Sequence, residues 1–379
     1  LVKIVILMSD TGGGHRASAQ ALQAGFVERY SDRFQVEIVE LWRDYTPWPI
    51  NQLPKSYGPI VNRGVWFWKL LWDASQRPWV VNPVLNLMGI FVRRSIRQAF
   101  EDHEPDLVIS VHPLMQQLPL TSLRDWRKDV PFVTVITDLG TINPLWLFRK
   151  ADRCFVPTEE AYQQGLRAGL RSDQLVMSGL PIRPLFARPT LPEVELRRKL
   201  GLAEDRLTAL IVSGGEGMGP VALIANAIAQ QLAADERHAQ MVVICGRNDQ
   251  LRQDLTKRAW PIPVHIYGFV ENMAEWMVAS DCIVTKAGPG TIAEALITGL
   301  PILLSGYIPG QEEGNVPYVL DHGVGAYSPN PAEIAATVSR WFGPEQDKLA
   351  DMAQKAKALG HPQATFDIVE EIAGLISRD

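Results

Sequence analysis

The sequence predicts an α/β protein built from two Rossmann-like domains that face one another across a cleft. Short apolar runs alternate with helix-like stretches, which is the βαβ rhythm of a parallel sheet. A proline-rich passage interrupts that rhythm near the middle of the chain, and the rhythm then restarts. At 379 residues the chain is also long enough for two separate cores.

In the first half the strand candidates are Val2 to Met8, Phe34 to Leu41, Asp106 to Val111, Phe132 to Ile136 and Cys154 to Val156. Pro181-Ile182-Arg183-Pro184, running through Pro189 to Pro192, breaks every periodic pattern and reads as a linker. Beyond it the candidates are Leu207 to Val212, Met241 to Cys245, Val264 to Tyr267, Cys282 to Thr285 and Ile302 to Leu304. The expected division is a first domain at 1–180, a linker at 181–192, a second domain at 193–343 and a C-terminal helical segment at 344–379. Doubly wound sheets bind ligands beyond the carboxyl ends of their strands, so the site is expected in the cleft.

Composition removes several classes. With 46% hydrophobic and 21% charged residues the chain is neither disordered nor collagen-like nor a coiled-coil rod. A formal net charge of -5 argues against a nucleic-acid partner, which would call for excess Lys and Arg. Cys154, Cys245 and Cys282 are odd in number and too far apart for a CxxC pair or a zinc knuckle, which points to a reducing compartment. The longest apolar stretch, Val80 to Val92, is interrupted by Asn82, Pro83 and Asn86, so no bilayer span is expected.

Residues 48–100 depart from the βαβ rhythm. They carry Trp48, Trp66, Trp68, Trp72 and Trp79 together with Lys55, Arg63, Lys69, Arg77, Arg93, Arg94 and Arg97, against Asp73 alone. Indole rings and cations together suit the headgroup region of an anionic phospholipid membrane. The plainer alternative is a packed helical core of tryptophans with a solvated face of arginines.

Three glycine turns come directly after strand candidates. Ser9-Asp10-Thr11-Gly12-Gly13-Gly14-His15-Arg16 ends the first strand and opens a helix, whose positive end favours a neutral imidazole at His15. His15 is therefore a candidate general base, with capping or simple exposure as the alternative. Gly214-Gly215-Glu216-Gly217-Met218-Gly219-Pro220 comes after the strand at 207–212 and offers backbone N–H groups to a pyrophosphate, or serves as a tight turn. Lys286-Ala287-Gly288-Pro289-Gly290-Thr291-Ile292-Ala293-Glu294 and Gly310-Gln311-Glu312-Glu313-Gly314-Asn315 would present Glu294, Gln311 and Glu312 to sugar hydroxyls, with Lys286 near phosphate. Glu294 could instead be a first-turn carboxylate complementing the helix dipole.

These motifs, with Cys245-Gly246-Arg247-Asn248, closely resemble the plant-type monogalactosyldiacylglycerol synthases over nearly the whole chain. The resemblance extends more loosely to processive diacylglycerol glucosyltransferases and to the lipid II-forming N-acetylglucosaminyltransferase. It implies a GT-B fold and inverting transfer of galactose from UDP-galactose to the sn-3 hydroxyl of diacylglycerol, without metal or cofactor. It further implies that Gly214, Gly215, Glu216 and Gly217 cradle the UDP phosphates, with Lys286, Gly288, Pro289 and Gly290 alongside. Phe269 and Val270 would contact uracil, and Glu294 the ribose. Gln311 and Glu312 would read the sugar with Asn315 close by, while His15 activates the acceptor hydroxyl. Gly13 and Gly14 fall on the acceptor side, and Trp66, Trp68, Trp72, Arg93, Arg94 and Arg97 on the membrane side.

Two departures stand out. Asn143 occupies the place where the family often carries a histidine, and no long N-terminal extension precedes the first strand. The expected location is thus peripheral, on the cytoplasmic face of a bacterial membrane or, for a shortened plant-type protein, at the plastid envelope. Competing readings are glucose transfer from UDP-glucose and a soluble UDP-sugar 2-epimerase.

Overall fold

Val2–Met8 (β1) is an almost unbroken apolar run because both of its faces are covered, as in any interior parallel strand. A computed structural model describes residues 1–11, 13–188, 190–212 and 220–376, with the side chains of residues 62 and 63 excepted. The chain forms two units. One comprises Leu1–Pro184, Ile308–Gly314 and Gln363–Asp379, the other Leu185–Tyr307 and Asn315–Pro362.

The first unit contains β1, Phe34–Glu40 (β2), Leu107–Ser110 (β3), Phe132–Val135 (β4), Arg153–Val156 (β5) and Leu175–Met177 (β6). They form one parallel sheet in the order β2-β1-β3-β4-β5-β6. Successive β1 side chains point to opposite faces. Ile4 and Ile6 pack with Leu22 and Phe26 of the Gly13–Tyr30 helix and with Ile368 and Ile372 of the Ala364–Ile376 helix. Val5 and Leu7 pack with Val92, Ile96 and Phe100 of the Pro78–His103 helix and with Leu118 and Leu123 of the Gln117–Trp126 helix. Each such side chain, fully buried, contributes about 1.5–3 kcal/mol.

The Ala364–Ile376 helix brings the end of the chain back to this unit. Gly25 provides the room: a Cβ there would sit 2.8 Å from Thr365 Cγ2. The Thr365 hydroxyl in turn accepts the Ile182 backbone N–H at 3.0 Å.

The second unit contains Leu207–Val212 (β7), Ala239–Ile244 (β8), Val264–Tyr267 (β9), Cys282–Lys286 (β10), Ile302–Gly306 (β11) and Gly325–Tyr327 (β12). These also form one parallel sheet, ordered β12-β11-β10-β7-β8-β9. The Val221–Ala234 and Pro331–Trp341 helices cover one of its faces with Ile224, Ile228, Ile334 and Val338.

All ten strands expected from the sequence are present, with no end displaced by more than two residues. The edge strands β6 and β12 have no counterpart among those expectations. Each is only three residues long and incompletely buried, which leaves little pattern to read in the sequence.

Residues 48–100 fold mainly as the helices Leu53–Arg63, Val65–Ser75 and Pro78–His103. Their tryptophans do not form a helical core. Trp48, Trp66 and Trp79 are 73–77% exposed, and the Val65–Ser75 helix buries no residue. Trp68 and Trp72 differ from the expected membrane group, because they are half-buried against the 308–314 loop. The cationic face is also less bare than the sequence implies. Arg93 is ion-paired with Asp125, and Arg97 with Glu101 at 2.7 Å, both acids lying outside the segment.

Candidate active site

Strand order locates the ligand crevices. In the first sheet the order reverses between β1 and β3, and in the second between β7 and β10. Loops leaving the carboxyl ends of two such neighbours diverge to opposite faces and leave a gap. His15 comes after β1, and His112 after β3. Lys286, Gly288, Pro289 and Gly290 end or succeed β10, while Gly214, Gly215, Glu216 and Gly217 succeed β7 in sequence and lie outside the described residues.

His15 is buried near the start of its helix, not exposed. Its Nδ1 is 2.9 Å from the Val111 carbonyl oxygen and 3.1 Å from Thr137 Oγ1. A carbonyl only accepts, so Nδ1 carries the proton and Nε2 keeps the lone pair. Burial lowers the pKa to about 4, partly offset by the bond to Val111, so the ring is neutral at physiological pH.

His112 makes a second, opposite assignment. Its Nδ1 accepts the Leu114 backbone N–H at 3.2 Å, so Nε2–H donates to Thr11 Oγ1 at 2.7 Å. The two imidazole centroids are 4.5 Å apart, edge to face. Burial, and then the nearby His15, hold His112 well below the ordinary histidine range. Trp146 lies on another side of His15 at 6.1 Å and donates its Nε1–H to Asp138 Oδ2 at 2.7 Å. Burial pushes the Asp138 carboxyl up to about 7 despite that bond, and the Glu312 charge adds to the rise.

Sequence reasoning misses His112, Thr11, Thr137, Asp138 and Tyr57. A usable signal exists for most of them: polar side chains directly after a parallel strand stand at the edge where such sheets bind ligands. Asn143, at the family histidine's place, is buried. Its Oδ1 accepts the Leu145 N–H at 3.0 Å and its Nδ2 donates to Ser75 Oγ at 2.8 Å, so it caps a turn and ties it to the Val65–Ser75 helix. Gly13 and Gly14 have open space where a Cβ would stand.

Gln311 and Glu312, expected beside the β10 loop, belong instead to the first unit, because the 308–314 loop is held there by aromatic side chains. Tyr57 donates its hydroxyl to Gln311 Oε1 at 2.6 Å, and Trp68 Nε1–H donates to the Pro309 carbonyl at 2.9 Å. Tyr57 and Trp68 pack edge to face at 5.3 Å. Gly310 has φ +77°, and a Cβ there would overlap the Trp72 indole. Glu312 is buried, accepting the Ile308 N–H at 2.9 Å.

In the second unit, Gly288 is the N-cap of the Pro289–Thr298 helix, and Pro289 is well placed at its first position. Asn315 fixes the turn by donating its Nδ2–H to the Ala287 carbonyl at 2.9 Å. The β10–β11 register slips between Thr285 and Lys286, which gives Lys286 its own setting at the strand end. Glu294 is the sixth residue of the helix, so it is not the first-turn carboxylate that a dipole role requires. Val270 adjoins Phe269, which is 55% exposed with the Arg247 guanidinium 5.3 Å above its ring. Among the described residues, no group of three or more His, Cys, Asp or Glu is arranged to hold a metal ion.

Residues 15–182 match the family model described as monogalactosyldiacylglycerol (MGDG) synthase, and residues 209–364 match the glycosyltransferase family 28 C-terminal domain. The chain is 47% identical over 381 residues to monogalactosyldiacylglycerol synthase 1, chloroplastic, of Arabidopsis thaliana, spanning 99% of this chain and 71% of that protein. Among solved structures it resembles MurG of Acinetobacter baumannii, with a TM-score of 0.61 and 18% identity over 98% of this chain and 99% of that one. The UDP-GlcNAc 2-epimerase of Neisseria meningitidis bound to UDP-GlcNAc scores the same 0.61, at 15% identity over 99% and 100% of the two chains. These two likenesses establish the fold and do not separate transferase from epimerase.

Proposed function

This chain belongs to the monogalactosyldiacylglycerol synthase family, which transfers galactose from UDP-galactose to diacylglycerol, and we propose that His15 Nε2 is the base of that reaction. The fold is GT-B. The observation that carries the assignment is the proton on Nδ1: it leaves Nε2 as a lone pair at the switch point of the first sheet. The acceptor hydroxyl oxygen forms a bond to the galactose anomeric carbon from the face opposite UDP. Its proton passes to Nε2. The bond from that carbon to the β-phosphate oxygen breaks, its electron pair leaves with UDP, and the configuration inverts.

Charge accumulates on UDP in the transition state. Gly214, Gly215, Glu216 and Gly217, with the start of the Pro289–Thr298 helix and Lys286, form the set that accommodates it. Phe269 and Val270 hold uracil, Glu294 the ribose, and Gln311 and Glu312 the sugar hydroxyls. Asn315 acts through the Ala287 turn that it anchors. His112 and Thr11 position the acceptor beside His15.

The protein works as a peripheral membrane enzyme. No described helix is long and apolar enough to cross a membrane. Diacylglycerol is confined to the bilayer, and Trp66, Leu70, Trp79, Leu87, Ile90 and Phe91 are all between 58% and 75% exposed on neighbouring helices. Apolar side chains grouped with Lys69, Arg77 and Arg94 suit an anionic lipid surface.

The experiment is transfer of labelled hexose to diacylglycerol in mixed micelles, with UDP-galactose and UDP-glucose compared. Galactolipid formation with β configuration is expected, and His15→Ala abolishes most of it. Preferential use of UDP-glucose would overturn the donor assignment, and product of retained configuration would overturn the role of His15.

A further inference from the structure

We propose that a cleft of about 570 Å³ in the first unit receives one acyl chain of the acceptor lipid, an inference that rests on diacylglycerol being the acceptor. The cleft lies between the N-terminal half of the Pro78–His103 helix and the segments that leave β3 and β4. Val81, Leu85, Leu114, Leu118, Leu145 and Phe148 line it. Leu85 and Leu118 are buried at its floor, whereas Asn82, Arg149 and Lys150 are exposed along its walls.

The lining selects the occupant. A saturated or monounsaturated chain has no polar group to satisfy and gains from every apolar wall it meets, whereas a sugar or nucleotide would lose its hydration against these leucines. The size is that of a ligand pocket, not a packing fault. The Pro78–His103 helix also bears exposed apolar side chains. The same helix that supplies Val81 and Leu85 carries Val84, Leu87, Ile90 and Phe91, each 59–75% exposed. The helix that would meet the lipid surface is thus the one that forms a wall of the cleft.

Two residues of the wall join this cleft to the base. Leu114, on its wall, donates its backbone N–H to His112, whose ring is 4.5 Å from His15. Leu145 is held by Asn143 beside Trp146, whose ring is 6.1 Å from His15. A lipid whose chain lies in the cleft would thus present its glycerol end near the His112 and Trp146 wall, with His15 behind it. The cleft measures the acceptor by its chain, while the base acts on its hydroxyl.

Asn82→Trp tests this, because an indole at that exposed wall position fills the cleft without entering the core. The KM for dioleoylglycerol is expected to rise about tenfold, while that for dihexanoylglycerol, too short to fill the cleft, and that for UDP-galactose change less than twofold. Equal changes for both acceptors, or none, would overturn the inference. Absence of any transfer by the wild-type protein would instead overturn the proposed reaction. A second measurement does not depend on turnover or on the variant. Diacylglycerol carrying a diazirine on its acyl chain should label the 78–85 and 144–150 peptides of the wild-type protein on vesicles. Labelling there by diazirine phosphatidylglycerol but not by diazirine diacylglycerol would assign the cleft to the surrounding membrane and refute its role for the acceptor.

Discussion

The Nδ1 of His15 lies 2.9 Å from the carbonyl oxygen of Val111, the residue just past the strand beside its own. That single bond fixes which nitrogen can take a proton. Gln at position 15 keeps much of the volume and can still donate to Val111, but it has no basic lone pair. His15→Gln is expected to lower turnover by about 10² to 10⁴, the contribution of a positioned base. UDP affinity measured by calorimetry should stay within about twofold. Turnover close to the parent's would remove His15 from the reaction.

Burial also couples this site to stability. His15 is held at about 4, against an ordinary value of 6.5, and His112 is lowered as well. With folded values depressed, the unfolded chain takes up protons first as the pH falls. The stability contributed by these neutral rings is complete above about pH 6.5 and is lost toward pH 4, to the extent of roughly 3 kcal/mol for His15. The variant His15→Gln with His112→Gln should therefore lose less stability than the parent between pH 7 and pH 5 in urea titrations. Parallel losses in the two proteins would place the acid sensitivity elsewhere.

Tyr57 offers a test of the sugar-reading loop. Its hydroxyl donates to Gln311, and burial raises its pKa, so it remains protonated and donating. Tyr57→Phe should raise the KM for UDP-galactose about threefold to tenfold, the cost of one lost hydrogen bond, while leaving UDP binding unchanged. Glu294→Ala should weaken UDP and UDP-galactose alike. If Tyr57→Phe weakens UDP as much as it weakens UDP-galactose, the loop does not read the sugar.

Membrane docking separates into apolar and charged parts. Ile90→Gln with Phe91→Gln should lower binding to phosphatidylglycerol vesicles at least tenfold with little dependence on salt, because each inserted side chain contributes about 1.5–3 kcal/mol. Arg94→Gln should lower binding about fivefold, and salt should erase the difference. Arg93→Gln and Arg97→Gln should do less, since Asp125 and Glu101 already neutralise those cations. Sedimentation with vesicles at low and high salt distinguishes these outcomes, and unchanged binding in the Ile90 and Phe91 variant would sink the docking face.

Much of the fold is legible in the sequence because interior parallel strands are covered on both sides. Such burial writes a continuous apolar run, as in Val2–Met8 and Leu207–Val212, whatever the rest of the protein does. The edge strands Leu175–Met177 and Gly325–Tyr327 are short and partly solvated, so the same rule marks them only faintly. Of the site, His15 and the glycine turns are visible because they come directly after apolar strand runs that the sequence already marks.

Convergence over long sequence separations is not visible there. His112 reaches His15 because β1 and β3 pair in parallel with Leu7 opposite Ser110, which sets the two strand ends level. Gln311 sits with Tyr57, 254 positions away, because Trp68 holds the Pro309 carbonyl and the Trp72 indole leaves room only for glycine at position 310. The exposure of Trp66 beside the burial of Trp42 obeys the same logic. Composition and spacing dictated that this chain makes two parallel sheets with a histidine at the end of the first strand, since those features depend on local burial and backbone freedom. Which nitrogen of that histidine holds the proton, and which tryptophans meet solvent, depended on partners brought together only by sheet register and helix packing.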